Sequence, residues 1–198
     1  MLKFPSSRLA QRLALVVCLL LGVAARAADA TKPFGEYQVK AVFLYNFTKF
    51  VSWPTNVFNG ANAPFVIGVL GADPFGPALD ELVSAQSVGS HPISVRRLGR
   101  DEPIGGCQIL FVARSERERL PDVFAAVKDR PILTVGDMPR FVELGGMFNL
   151  ALSQRRVVID VIDNAAARAV GLQVNSKLLD LAREVRNGPG LTAPRPRP

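Results

Sequence analysis

The sequence predicts a three-layer α/β/α sandwich, a mostly parallel sheet with helices on both faces and an antiparallel hairpin near the C-terminus. Three observations lead there. Phe65–Gly71 and Gln108–Ala113 are continuous apolar runs, as expected of strands buried on both faces. Helical signals alternate with such runs, so successive strands need crossovers and lie parallel. Met147–Leu152 and Arg156–Ile162 are separated only by Ser153-Gln154-Arg155, the spacing of a hairpin.

The first element is EYQVKAVFLYNFTKFVSW, read as one helix over Glu36–Trp53 and stopped by Pro54. At 100° per residue, Val39, Val42, Phe43, Phe47, Phe50 and Trp53 form one face, widened by Leu44 and Val51. That face is expected to be buried. Asn46 lies within it and therefore needs a hydrogen-bond partner. Gln38, Ala41, Tyr45, Thr48, Lys49 and Ser52 fall opposite. Lys40, Lys49 and the polar face argue against a membrane span.

After the strand at Phe65, Asp73-Pro74-Phe75-Gly76 is a turn and Pro77 opens a short helix toward Ala85. Ile93–Leu98 is a strand, and Gln108–Ala113 is another. Ser115 and Glu118 have the capping-box spacing, which predicts a helix from Ser115 to about Lys128. Pro131–Val135 is the next buried strand. Asp137 is expected to cap a helix through Leu144, closed by Gly145-Gly146. Beyond the hairpin, Asp163 or Asn164 starts a helix ending at Gly171. Asn175 or Ser176 starts a last helix to about Asn187, with Gly188 as its stop.

These elements occupy residues 28–187 of the 198-residue chain as one domain. Residues 1–27 read as a secretory signal peptide: Lys3, Arg8 and Arg12, an apolar run over Leu13–Ala25, then Ala25-Arg26-Ala27 before a cut. Cys18 lies inside the apolar run without the small residue that precedes a lipoprotein cysteine. The run is too short for a permanent span, which needs roughly 20 apolar residues. Residues 188–198, rich in proline, read as a disordered tail.

Without residues 1–27 the chain carries 20 basic against 17 acidic residues, so the net charge falls from +7 to +3. No basic stripe interleaved with aromatics appears, which argues against nucleic-acid binding. Cys107 becomes the only cysteine, so no intrachain disulfide forms. Its place before QILFVA suggests a buried, inert thiol.

No catalytic residue stands out. His91 is the single histidine and precedes Pro92 at a strand entrance. No metal-ligand spacing, phosphate loop or nucleophile elbow occurs, so neither a metal nor a cofactor is expected. Ligands in open parallel sheets bind beyond the carboxyl ends of strands. Gly71, Asp73, Arg114, Ser115 and Asp137 fall at three such ends and are the candidate ligand site. The same residues also suit plain turns and caps. Tyr45 and Lys49 on the first helix, Arg155 and Arg156 at the hairpin turn, and Lys177 are candidate partner-binding residues. Arg96, Arg97 and Arg100, near Asp101 and Glu102, read as a solvated charged loop.

The ordered stretches KAVFLYNFTKFVSWP, FVIGVLGADPFG, CQILFVARSE, ILTVGD, FVELGGMFNL and AAARAVGLQVNSKLLDLAREV resemble the YfiR-like family of bacterial periplasmic proteins. The resemblance implies an α/β periplasmic domain without catalytic activity. It implies binding to the sensor domain of an inner-membrane diguanylate cyclase, repression of cyclic-di-GMP synthesis, and thereby control of biofilm formation. Release by redox or envelope stress and a homodimer are also implied. Related domains attached to sensor kinases leave open a second reading, a small-molecule sensory module serving a transporter or kinase. Disulfides support some members, but Cys107 has no partner here, so redox control by an intramolecular disulfide does not carry over.

Overall fold

Two apolar layers sandwich a sheet whose inner strands read as near-continuous apolar runs, as their burial on both faces requires. The computed structural model describes residues 35–100, 102–188 and the backbone of 192–194. The signal-peptide reading of 1–27, Asp101 of the charged loop and most of the tail lie outside the described residues.

In chain order the elements are α1 (Glu36–Phe50), β1 (Val51–Ser52), β2 (Phe65–Leu70), α2 (Pro77–Val83), β3 (Ser87–Val88), β4 (His91–Leu98) and β5 (Ile109–Val112). Then follow α3 (Leu120–Val127), β6 (Leu133–Gly136), β7 (Phe148–Ser153), β8 (Arg156–Asp163), α4 (Asn164–Ala169), β9 (Gln173–Val174), α5 (Ser176–Leu181), β10 (Glu184–Arg186) and β11 (Thr192–Pro194). The main sheet has the order β11-β10-β8-β7-β6-β5-β2-β4-β3, and β1 pairs separately with β9. Strands β4, β2, β5, β6 and β7 are mutually parallel, and β7 and β8 form the antiparallel hairpin. The predicted mixed sheet is thus the observed one.

Alternate residues of each inner strand serve opposite layers. Ile67, Val69, Ile109, Phe111, Leu133 and Val135 pack with α1, α2, α4 and α5. Leu70, Leu110 and Val112 pack with Leu120, Val123 and Val127 of α3 and with Met138, Phe141 and Val142. Cys107 belongs to this second layer, 3% exposed. Burial pushes its thiol pKa up, which opposes reactivity.

Several sequence expectations are corrected. Helix α1 ends at Phe50, and its buried face is Lys40, Ala41, Leu44, Phe47 and Thr48. That face is rotated from the expected one. Val42 is 37% exposed, and Val39, Phe43, Asn46 and Phe50 are half-buried. Apolar residues occupy both flanks of α1, so the apolar stripe alone does not set its roll about the axis. Asn46 therefore escapes the buried position that would have demanded a partner. Ser115 does not cap a long helix; a 3₁₀ turn over Arg114–Arg119 precedes α3, without a side-chain cap. The segment after Asp137 is a chain of turns rather than a helix, and the Asp137 carboxylate is used elsewhere. The last helix stops at Leu181. Glu184–Arg186 instead adds to β8 as a parallel strand, burying Val185. Thr192–Pro194 pairs antiparallel with it, where the sequence reading placed no element.

Two local signals are confirmed. The Asp163 carboxylate accepts from Ala166 N at 2.9 Å, and the Asn175 side-chain oxygen accepts from Lys177 N at 2.9 Å. Both open their helices as N-caps do.

Candidate functional site

The chain leaves β2 toward β4 on one side, returns across the sheet, and leaves β5 toward β6 on the other. The carboxyl ends of β2 and β5 are therefore a topological switch point, where α/β folds open a ligand crevice. Gly71 and Ala72 follow β2, Arg114 and Ser115 follow β5, and Asp137 follows β6. The three predicted strand ends are indeed neighbours.

The crevice is filled by the chain itself. Gly71 has φ +88°, and a Cβ there would stand 2.3 Å from Ser115 Oγ and 2.7 Å from Glu116 Oε1. Ser115 Oγ accepts from Ala72 N at 3.0 Å and donates to Glu116 Oε1 at 3.2 Å. Glu116, 5% exposed, also receives Arg119 Nη1 at 2.8 Å. Asp73 is drawn away from the crevice. One of its oxygens accepts from Phe75 N at 2.8 Å, and the other pairs with Arg97 at 3.0 Å. Of the five candidate ligand residues, the structure joins Gly71 with Ser115 and Arg114 with Asp137, and leaves Asp73 in its turn.

The centre of the cluster comes from the first turns of α1. Lys40 Nζ is fully buried and donates to Asp137 Oδ2 at 2.6 Å and to Glu36. Tyr37 Oη donates to the same Asp137 oxygen at 2.8 Å. Arg114 donates through Nε and Nη2 to the Asp137 backbone oxygen at 3.2 and 3.0 Å, and approaches Oδ1 at 3.3 Å. Lys40 Nζ also lies 4.5 Å from the Tyr37 ring centroid, within cation–π range. The Asp137 side chain is 1% exposed, so this carboxylate is tolerated only because it is surrounded by donors.

Two cations, Lys40 and Arg114, face two carboxylates, Glu36 and Asp137, so the cluster is neutral. An anionic ligand would have to displace a carboxylate already held by buried donors. The arrangement fastens the N-terminal end of α1 across the carboxyl edge of the sheet. Sequence reasoning missed Glu36, Tyr37 and Lys40. The signal was present: Glu36 and Lys40 have the i,i+4 ion-pair spacing, and Lys40 is in phase with Leu44 and Phe47.

Burial, and then the hydrogen bond to Asp137, push the Tyr37 phenol from 10.0 up to about 12. The folded state holds this proton after an unfolded chain has released it. The associated stability is therefore complete below pH 10 and is lost as pH rises toward 12. An alkaline absorbance titration of the two-tyrosine chain is expected to show one phenol ionising near 12, a step that Tyr37→Phe removes. If no phenol ionises near 12, water reaches Tyr37.

The candidate partner residues do not share one surface. Tyr45 Oη donates to Gln86 beside α2, and Lys49 Nζ lies 4.2 Å from the Tyr45 ring centroid. Arg155 and Arg156 are exposed at the tip of the β7–β8 hairpin, on the other half of the sheet. Lys177 is exposed in the first turn of α5, near the end of α1, where Asn175 N donates to Phe50 O at 2.8 Å.

Fold and cluster together define a class: a mostly parallel-sheet α/β domain whose strand-end crevice is closed by the helix over Glu36–Phe50. The YfiR/HmsC-like family profile matches residues 37–183, from Tyr37 within the cluster to Arg183 beside the hairpin. The chain belongs to the YfiR/HmsC-like family. Membership implies a periplasmic regulatory role bearing on a diguanylate cyclase. A comparison with curated proteins gives no significant match.

Proposed function

We propose that this protein is a periplasmic repressor that binds the sensor domain of an inner-membrane diguanylate cyclase and lowers cyclic-di-GMP synthesis. The family match over residues 37–183 carries the reading. Under it, residues 1–27 are a signal peptide removed on export, and residues 28–187 form the acting domain.

Repression by binding needs no reaction. A protein that prefers the inactive conformation of its partner shifts the partner's population toward that state. A shift from mostly active to mostly inactive takes a preference of roughly 10⁴-fold. Such a preference requires contact surface rather than a reactive group. The outer flank of α1 offers surface of that kind: Val42 and Lys49 are exposed, with Val39, Phe43 and Asn46 half-buried beside them. Tyr45 and Lys49 are the residues we assign to this contact. The strand-end crevice favours this reading over a small-molecule module, since its charged groups are already paired.

Deleting the gene is expected to raise cyclic-di-GMP and surface adhesion. Lys49→Glu, expressed at the level of the unaltered protein, is expected to reproduce part of that rise. An inner-membrane protein with a GGDEF domain is expected to co-purify with the unaltered protein and less with the variant. Unchanged cyclic-di-GMP in the deletion strain would overturn the reading.

A further inference from the structure

The β7–β8 hairpin is longer than the strands beside it. Strand β6 pairs with β7 only at Phe148 and Asn149, and β10 pairs with β8 only from Val161 onward. Leu150–Ser153 and Arg156–Ile159 therefore pair with each other and run past their neighbours at the carboxyl edge of the sheet. Gln154 and Arg155 have φ of 48° and 62°, the left-handed pair expected of a tight hairpin turn. The base of this arm is anchored: Leu150 is fully buried and Ile159 is 1% exposed. Its end is not, for Leu152 is 52% exposed.

The exposed chemistry at this end is of two kinds. Arg155 and Arg156 are exposed and form no ion pair among the described residues. Arg183 lies alongside, donating through Nη2 to Ser153 Oγ at 2.8 Å. Its own carboxylate partner is Asp160 at 3.6 Å. Arg183 thus ties the end of α5 to the arm, and Leu181, two residues before it, is 68% exposed. The result is a protruding end with two exposed leucines and three arginines, against Asp160, which pairs with Arg183, and the exposed Asp180 beside Leu181.

A convex basic end with exposed leucines suits a flat, deformable anionic surface better than a preformed pocket. The leucines can enter the acyl boundary while the guanidiniums stay at the headgroups. We propose that the β7–β8 arm, through Leu152, Arg155 and Arg156 with Leu181 and Arg183 beside them, docks on an anionic phospholipid surface. The proposal rests on the periplasmic reading only for which membrane is met. Docking would hold the domain at the bilayer with its carboxyl edge facing the lipid, and reduce its search for a membrane-embedded partner to two dimensions.

The test is co-sedimentation of the folded chain starting at Ala28 with phosphatidylcholine vesicles, with and without phosphatidylglycerol. The two arginines without an ion pair among the described residues, Arg155 and Arg156, predict a partition at least tenfold higher on the anionic vesicles at low salt. That excess should vanish when salt shrinks the Debye length to about 3 Å. Arg155→Glu/Arg156→Glu is expected to abolish the excess, and Leu152→Ser to reduce it severalfold. Lys128→Glu, an exposed change after α3, should leave it intact. Leu152, Arg155 and Arg156 are exposed, so these variants are expected to keep the fold, checked by circular dichroism. Equal partition on the two vesicle types would overturn the proposal, as would an excess that survives the double charge reversal. Binding to an acidic polypeptide but to neither vesicle would also overturn it and assign the arm to a protein surface. No cyclase is present in the assay, so a negative result leaves the repressor reading standing, and a failed deletion phenotype leaves lipid docking standing.

Discussion

Lys40→Met is expected to lower the unfolding free energy by about 3 kcal/mol or more, the cost of stranding one member of a buried ion pair. Asp137 would remain 1% exposed with its nearest cation gone. Tyr37 still donates to it, and Arg114, 60% exposed, still borders it, so the loss should fall near the lower end of the range. Methionine matches the length of the lysine stem, which keeps the packing term small. For a domain of this size the loss corresponds to roughly 6–12 °C in Tm. The double variant Lys40→Met/Asp137→Leu removes both charges and is expected to recover most of the loss, because a buried pair repays little beyond its own desolvation. Urea unfolding followed through Trp53, the single tryptophan, gives the readout; its ring packs edge-on to Phe65 at 4.9 Å. A loss under about 1 kcal/mol, the range of exposed pairs, would show that solvent reaches the pair.

The second large effect is at a ring held between two glycines. Phe141 is fully buried and meets Phe124 edge-to-face at 5.5 Å. A Cβ on Gly146 would come within 2.2 Å of the Phe141 ring, and one on Gly136 within 2.5 Å. Neither backbone has the left-handed φ that alone would call for glycine, so the ring is the reason for both. Gly146→Ala is expected to cost about 1–3 kcal/mol through overpacking. Phe141→Ala is expected to cost about 3–5 kcal/mol through the cavity it leaves. Gly146→Ala combined with Phe141→Leu should lose less than the two single changes together, with a coupling of order 1 kcal/mol. Strict additivity would mean that the ring can step aside without cost.

These two sites also mark where sequence reading stopped. Strands β2 and β5 were legible because burial on both faces leaves an unbroken apolar run, and the caps at Asp163 and Asn175 because a cap is completed within three residues. The roll of α1 was not legible, because its apolar residues allow two buried faces. The choice falls to Lys40, whose buried ammonium is held by Glu36 and by an aspartate 97 positions away. Ser115 has the right neighbours for a capping box, yet its hydroxyl is taken by Ala72 N from another strand end. Leu178, Ala182 and Val185 satisfy a helical period equally well as core contacts of a short helix followed by a strand. The edge of β8 from Val161 onward decides for the strand. In the candidate site, residue types and strand ends were readable, and their occupancy was not. Part of what fills the crevice arrives from α1, whose Lys40 stands 97 positions before Asp137.

That separation has a consequence for the order in which the molecule is made. A chain delivered N-terminus first presents α1 to its surroundings before most of what it packs against exists. Lys40 waits for Asp137, and Phe47 waits for Phe148, whose ring it meets edge-on at 5.2 Å. Contacts this distant in sequence form late, since a long loop must close before they repay its entropy. The leading helix therefore completes its packing late, whatever earlier contacts it makes with Phe75 and Gln86. The charged latch closes only after Asp137, the residue that follows β6, has emerged.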